Sequence, residues 1–128
     1  MFNTSAAFSG FSSNAIDESK TFYGEILGLE YEETMGGLSL KLGSGARVFI
    51  YPKENHEPAS FTVLNFPVES VDAAVDALNS RGVVTKIYSD EEFPSNEKGI
   101  VRGGPGWGPD IAWFRDPAGN VLAVLTDA

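Results

Sequence analysis

The stretch Phe22-Tyr23-Gly24-Glu25-Ile26-Leu27-Gly28-Leu29 decides the first half of the fold. Its apolar residues continue a helical spacing that begins several residues earlier. Gly28 is typical of the position at which a helix ends, and Leu29 begins a strand-like run. Ser13 or Asn14 offers a cap at the other end of the helix. The stretch therefore predicts one amphipathic helix that leads directly into a strand.

Strand-like segments lie on both sides of this helix, at 6–12, 29–34, 38–42 and 46–52. The breaks at 36–37 and 43–45 contain the glycines that hairpin turns favour. The first module, 1–52, is therefore predicted to be a strand, a helix and three further strands.

The same order of elements begins again after a charged linker at 53–59. The second module, 60–128, contains a helix that Ser70 caps and that ends before Gly82. Its predicted strands lie at 60–68, 83–88, 110–115 and 120–126. The predicted fold class is α+β, with two βαβββ modules in a single domain, 1–128.

A long excursion, 89–109, separates the second and third strands of the second module. Loops of this length are uncommon unless they are functional or mobile, so we expect this one to contact a ligand or a partner subunit. Arg102 is suited to pairing with a carboxylate. Two interpretations of Trp107 stay open, because it is suited both to stacking on a ligand and to packing on a neighbouring strand or subunit.

Composition excludes several classes of function. The net charge of −9 argues against a nucleic-acid partner and modestly favours cationic small molecules. The absence of cysteine excludes disulfides, thiolate nucleophiles and zinc sites built on sulfur. No apolar run has the length of a membrane span, and the first residues lack the pattern of a secretory signal. We therefore expect a cytoplasmic protein with no membrane partner.

A second motif, Phe114-Arg115-Asp116-Pro117-Ala118-Gly119-Asn120, predicts a tight turn between the last two strands. In this order and at this distance, the motif and the 22–29 stretch resemble the glyoxalase and bleomycin-resistance proteins. These belong to the vicinal oxygen chelate superfamily, together with the extradiol dioxygenases. The resemblance covers most of the chain, and it implies that the two modules curl their sheets into an open, cup-shaped mixed barrel with flanking helices.

The resemblance also implies where a metal would be bound in the cup. Relatives typically use a histidine on the first strand of each module and a glutamate on the last. These positions fall at Phe8, Val63 and Ala123, and on the 46–52 strand, which contains no Glu, Asp or His. Divalent metals need imidazole nitrogen or carboxylate oxygen, so we predict that the protein holds no metal and no other cofactor.

The predicted ligand site is the lining of this cup. By alternation along the strands, an inward Val63 brings Phe61 and Asn65 to the same face. The candidate ligand-binding residues are Phe8, Phe49, Tyr51, Phe61, Val63, Asn65, Arg102, Trp107, Trp113 and Ala123. The alternative is that the aromatic residues form a filled core. Asn65 is the exception, because an amide on a buried face needs partners.

His56 is the only histidine and lies in the polar linker beside Glu54 and Glu57. We expect it to be solvated, and any metal held with these glutamates would lie outside the cup. Because of this placement, the sequence predicts no Ser-His-acid catalytic group. No catalytic residue is assigned.

The preferred function is metal-independent binding of a small organic molecule, with sequestration of a toxic or cationic compound as the physiological role. The resemblance also implies a homodimer. The alternative is a lyase, an isomerase or a dioxygenase-like enzyme, with metal ligands such as Glu54 or Glu97, or with metal-free chemistry at Tyr51 or Arg102. A third interpretation is an interaction module whose cup is filled.

Overall fold

A computed structural model describes residues 1–106 and 108–126. The chain divides into two compact units, Met1–Pro58 (unit 1) and Ala59–Ala128 (unit 2). Each contains one mixed sheet and one helical segment, which confirms the predicted α+β class. In the described part of the chain, no helix combines the length and the apolar character that crossing a membrane requires.

Unit 1 contains the five elements that the sequence predicts. These are β1 (Ser9–Ser13), a helix made of α1 (Ile16–Thr21) and a π-helical turn (Phe22–Ile26), β2 (Glu30–Thr34), β3 (Gly37–Lys41) and β4 (Arg47–Pro52). The sheet order is β1-β4-β3-β2. β1 runs parallel to β4, and the other neighbours are antiparallel.

The helix covers one face of this sheet. Alternate strand residues on that face are buried: Phe11, Ser13, Leu38, Leu40, Val48 and Ile50. Tyr23, which has no exposed surface, packs its ring against Phe11 with 6.3 Å between ring centroids. The buried hydroxyls of Ser13 and Ser19 lie 2.9 Å apart and share a hydrogen bond. The residues between these positions therefore lie on the opposite face, which the helix does not cover.

The final turn of the helix widens where the 22–29 stretch meets β2. A Cβ atom on Gly24 would lie 2.5 Å from Cε1 of Tyr31, so glycine lets the aromatic ring pack directly on the helix and any larger residue would displace it. Gly28 ends the helical segment with φ of 73°, in the left-handed region that glycine adopts without strain. The predicted helix is thus confirmed, and the contact with Tyr31 explains why glycine occurs within it. The predicted cap by Ser13 or Asn14 is wrong, because the N-cap is Ala15, which has no side-chain cap hydrogen bond.

Unit 2 contains β5 (Thr62–Pro67), α2 (Val71–Ser80), β6 (Ile111–Arg115) and β7 (Val121–Leu125). The sheet order is β5-β7-β6, with β5 parallel to β7 and β6 antiparallel to it. The Ser70 hydroxyl accepts a hydrogen bond of 3.1 Å from the Ala73 N–H, which confirms the predicted cap of α2.

The predicted strand at 83–88 is wrong, because these residues form no strand. The amide of Asn79 donates to the Val83 carbonyl at 2.9 Å, and the Thr85 hydroxyl donates to the Lys98 carbonyl at 2.7 Å. These bonds replace the ladder that a strand would form. Val101 takes the place beside β6 instead, in an isolated bridge with Ile111.

Lys86 holds the first part of the excursion. Its Nζ donates to Asp90 Oδ1 at 2.8 Å, to Ser95 Oγ at 2.9 Å and to the Asn96 carbonyl at 3.1 Å. The hydrogen bond from Lys86 lowers the pKa of Asp90. One cation therefore organises this part of a loop that lacks regular structure.

The late motif forms the predicted tight turn. Asp116, only 5% exposed, accepts from the N–H groups of Ala118 and Asn120, each at 2.9 Å, through Oδ1. Its Oδ2 accepts from the Asn120 amide at 2.9 Å, and Gly119 completes the turn with φ of 83°. The motif therefore closes the β6–β7 hairpin and leaves no carboxylate for a ligand.

Candidate functional site

The face of the unit 1 sheet that lies opposite the helix is the first part of the candidate site. The strand register places Gly10 beside Phe49, Ser12 beside Tyr51, and Ser39 beside Phe49. We call the face that these five residues share the helix-free face. It brings together Phe49 and Tyr51, two of the predicted ligand-binding residues, with 6.3 Å between their ring centroids.

A cavity of about 200 Å³ lies on this face. Its lining consists of Phe8, Thr34, Met35, Ser39, Arg47 and Phe49. Phe8 and Met35 are large apolar residues that remain 65% and 81% exposed, which is unusual unless such surface has a partner. The cavity therefore joins two predicted ligand-binding aromatic residues, Phe8 and Phe49, with a small polar edge.

Arg47 is the charged residue in this lining. Its Nη1 donates to Ser39 Oγ at 3.1 Å and lies 3.6 Å from Glu32 Oε2. Lys41 contacts the other carboxylate oxygen of Glu32 at 3.0 Å, and this bond is the largest cause that lowers the pKa of Glu32. Two cations thus share one carboxylate at the edge of the cavity.

The helix-free face also carries a pair that the sequence analysis missed. Ser12 Oγ lies 2.6 Å from His56 Nδ1 and His56 is partly buried, so the expectation that His56 is simply a solvated linker residue is wrong. The parallel pairing of β1 with β4 explains the contact, because the chain that leaves β4 runs beside the end of β1. The Lys53 N–H donates to the Ser13 carbonyl at 3.0 Å and fixes this course.

In unit 2, Trp113 lies in a packed aromatic cluster. Its ring makes edge-on contacts with Tyr88 and Phe93, with centroid distances of 5.5 and 4.7 Å. Its indole N–H donates to Thr62 Oγ1 at 3.2 Å. The cavity beside the cluster is about 10 Å³, room for a single water molecule at most. Trp113 therefore has partners without a ligand, and its part in ligand binding stays a prediction.

A β-bulge at Val63 changes the predicted alternation along β5. Thr62 pairs with Val121 and Leu64 pairs with Leu122, so two residues of β5 face one step of β7. Thr62, rather than Val63, therefore shares a face with Ala123 and Trp113. The expected regular run through 61, 63 and 65 is wrong for this reason.

Other predicted site residues have varied environments. Phe61 is 69% exposed, and Ala123 is fully buried. Asn65 pairs with Ala123 in the sheet but is exposed, so the expectation of a buried amide is wrong. Trp107 lies outside the described residues.

Arg102 has an internal carboxylate partner. Its Nη1 and Nη2 donate to the two oxygens of Asp72 at 2.7 and 2.8 Å, in the two-point geometry that guanidinium favours. Asp110 Oδ2 lies 3.4 Å from the same guanidinium. The hydrogen bond from Arg102 lowers the pKa of Asp72. Arg102 therefore holds the excursion to α2, and any ligand carboxylate would compete with Asp72.

The positions that the resemblance assigns to metal ligands provide no donor groups for a metal. The three assigned positions, Phe8, Val63 and Ala123, carry hydrocarbon side chains. Within residues 1–106 and 108–126, no three His, Asp or Glu side chains are grouped closely enough to hold a metal ion. Glu54 and Glu97, which the alternative interpretation gives as examples of metal ligands, belong to no such group among these residues.

The paired order of strands and helices defines an α+β protein built from a repeated module, and a family model identifies the class. The Glyoxalase/Bleomycin resistance protein/Dioxygenase superfamily model matches residues 10–124, and the chain belongs to this superfamily. A search of curated protein sequences gave no significant match.

Solved structures share the fold at low sequence identity. A glyoxalase family protein from Enterococcus faecalis is 23% identical with a TM-score of 0.67, covering 98% of this chain and 99% of that one. The fosfomycin resistance protein FosX from Listeria monocytogenes is 14% identical with a TM-score of 0.71, covering 100% and 96%. Lactoylglutathione lyase from Agrobacterium tumefaciens is 18% identical with a TM-score of 0.68, covering 96% and 94%. At these identities the likeness establishes the fold alone.

Proposed function

We propose that this protein binds a small organic molecule on the helix-free face of unit 1, without a metal. The observation that carries the proposal is the cavity of about 200 Å³ between Phe8, Met35 and Phe49. Apolar walls with a few placed polar groups are typical of small-molecule sites. The poor fit of the donor groups to a metal supports the second part of the proposal.

The size of the cavity limits the ligand. Sites for drug-sized molecules enclose about 300–1,000 Å³, so a cavity of about 200 Å³ suits a smaller molecule or one part of a larger one. The aromatic side chains favour an aromatic or otherwise apolar body that can stack on Phe49. We therefore expect a compact ligand whose body is largely apolar.

The charges nearby refine this expectation. Arg47 lines the cavity and favours a carbonyl or carboxylate oxygen on the ligand. The net charge of −9 acts over a longer range and favours cations. Direct contact decides orientation at short distance, so we propose an apolar ligand with an oxygen acceptor. A cationic group is compatible with this proposal where it points away from Arg47.

Sequestration of a toxic compound is the role we propose for this binding. A protein named for fosfomycin resistance shares the fold, and protection by binding needs burial and placed polar groups rather than a catalyst. A homodimer and a cytoplasmic location stay predictions from the sequence.

The test is a ligand screen by two-dimensional NMR on the chelator-treated protein. The panel contains aromatic carboxylates, aromatic amines and neutral aromatic compounds of similar size. We expect saturable shifts at Met35, Ser39 and Phe49 with the carboxylates, unchanged by the chelator.

Phe49→Ala should weaken binding about tenfold or more. Tyr31→Ala is the matched control, because Tyr31 pairs with Leu40 and borders Gly24, so its ring lies on the helix side of the same sheet. Shifts that require an added divalent metal would contradict the proposal, as would their absence across the panel.

A further inference from the structure

Ser12 and His56 form a hydroxyl–imidazole pair that the proposed binding function does not use. Their side chains approach to 2.6 Å, and both residues are partly buried. We propose that Ser12 is a nucleophile, with His56 as its general base, for acyl transfer from small carboxylic esters. This inference goes beyond the proposed function and does not require it.

The pair has the geometry that nucleophile activation requires. A serine hydroxyl is a weak nucleophile unless a base within hydrogen-bond reach, about 2.6–3.2 Å, accepts its proton. When the ring proton is on Nε2, His56 Nδ1 accepts the hydrogen bond that Ser12 donates. The hydroxyl is then polarised toward the base in the resting protein.

The surroundings of Ser12 indicate the class of ester. Ser12 lies beside Tyr51 in the register, and the preceding residue on the same face, Gly10, has no side chain. A Cβ atom on Gly10 would lie 3.9 Å from Tyr51 Cε1 and only 3.1 Å from the Phe49 carbonyl oxygen, so the Tyr51 ring borders Gly10 and the β4 backbone approaches it closely. An aromatic or short apolar acyl group on Ser12 is suited to contact with the Tyr51 ring.

The proposed reaction has two balanced steps. In the first, Ser12 Oγ forms a bond to the ester carbonyl carbon while its proton passes to His56 Nδ1. The bond to the alkoxy oxygen then breaks, and the leaving alcohol takes the proton from His56, which gives acyl-Ser12. In the second, water attacks the acyl carbon while its proton passes to His56 Nδ1. The bond from the acyl carbon to Ser12 Oγ then breaks, Oγ takes the proton from His56, and the carboxylic acid leaves.

A purely structural role for the pair is the competing explanation. The linker backbone already has other bonds, because the Lys53 N–H donates to the Ser13 carbonyl at 3.0 Å and the His56 N–H donates to the Lys53 carbonyl at 3.1 Å. We therefore expect substitutions at His56 to leave the fold intact. His56→Asn is the informative variant, since its amide can keep a hydrogen bond to Ser12 but cannot act as a base.

The first experiment is covalent labelling of the whole protein with an alkyl fluorophosphonate, followed by peptide mass spectrometry. The label forms an Oγ–P bond as the P–F bond breaks, and fluoride leaves with the hydroxyl proton. Ser39 is the control within the same chain, because it lies on the same face and its hydroxyl accepts from Arg47 rather than contacting an imidazole. We expect Ser12 to be labelled about 100-fold faster than Ser39, the lower end of general-base effects.

His56→Asn decides between the two roles. We expect this variant, with an unchanged NMR spectrum away from the linker, to lose Ser12 labelling and turnover of 4-nitrophenyl acetate through kcat rather than KM. Ser12→Ala should lose the same turnover. No labelling of Ser12, equal labelling of Ser12 and Ser39, or full labelling in the His56→Asn variant would each overturn the proposal. Because the label and the ester are small, these results are independent of the ligand screen.

Discussion

Both units begin with a strand and a helix and end with a two-stranded hairpin, but the described part of unit 2 lacks the second strand of the module and the two sheets are used differently. In unit 1, the four-stranded sheet carries Phe49 and Tyr51, both on β4, on the face that the helix leaves uncovered, and Phe49 lines a cavity of about 200 Å³. In unit 2, the three-stranded sheet carries Trp113 on β6. Tyr88 and Phe93 contact its ring, and the cavity beside it is about 10 Å³. One copy of the module keeps space beside its aromatic residues, and the other fills it.

The difference originates in the second strand of the module. In unit 1, β2 pairs along its whole length with β3. In unit 2, the corresponding residues, 83–88, are bonded to Asn79 and Lys98 and lead into an excursion that carries Phe93 to Trp113. The segment that forms a paired strand in unit 1 is therefore replaced in unit 2 by an irregular segment whose excursion packs Phe93 on Trp113.

The largest expected effect is a difference in the free energy of unfolding between two variants, one at a core phenylalanine and one at a phenylalanine beside the cavity. Phe114, 1% exposed, packs in the core of unit 2, and Phe49 lies half-buried in unit 1. Phe114→Ala should lower the free energy of unfolding by about 3–5 kcal/mol. Phe49→Ala should lower it by about 1 kcal/mol, which is usual for a less buried position. Chemical denaturation measures both, and equal losses would mean that the cavity beside Phe49 is filled in solution.

An intermediate effect is expected from removing Lys86, the cation that holds residues 90–96 of the excursion. Lys86→Ala removes the bonds from Nζ to Asp90, Ser95 and Asn96. Amide hydrogen exchange should become several-fold faster across 90–96, because these side-chain bonds no longer oppose local opening. Lys98→Ala is the matched control, since its Nζ pairs with Asp76 on α2. Unchanged exchange in Lys86→Ala would mean that aromatic packing alone holds the excursion.

The smallest effect concerns the ion pair between Arg102 and Asp72. The folded protein lowers the pKa of Asp72 below the ordinary value of 3.8, mainly through the hydrogen bond from Arg102. The pair therefore contributes stability above the unfolded pKa, and this contribution is lost as the pH falls through the lowered folded pKa. In Arg102→Gln, the Asp72 pKa should return toward 3.8, as followed by carbon NMR of the carboxyl group. Arg47→Gln is the control and should leave the Asp72 pKa unchanged. A change of the Asp72 pKa in Arg47→Gln would show that the bond with Arg102 is not the main cause of the lowered value.

Much of the fold follows from local sequence signals. The Ser70 cap, the Asp116 turn and the glycine at the end of the first helix were all predictable, because each depends on nearby residues. The 83–88 strand was not, because its β-branched residues favour a strand while Asn79 and Lys98 take the hydrogen bonds. Tertiary context thus overrides strand propensity at this segment.

The candidate site was less predictable than the fold. Alternation correctly predicts that Phe49 and Tyr51 share a face of β4. The same alternation fails along β5, because the bulge at Val63 shifts the register. The contact of Ser12 with His56 joins residues that are 44 positions apart, so spacing along the chain carried no signal for it. Only the parallel pairing of the first and last strands of unit 1 brings them together.

The most direct test of this account compares ligand affinity in two aromatic variants, Phe49→Ala and Trp113→Ala, by titration calorimetry with the tightest-binding member of the panel. Loss of stacking on an aromatic side chain is worth about 1.5 kcal/mol or more, so Phe49→Ala should raise Kd by about tenfold or more. Trp113→Ala should raise it by less than about threefold, because Tyr88 and Phe93 already contact that ring. The opposite order, with Trp113 dominant, would mean that unit 2 provides the binding face and would contradict the account.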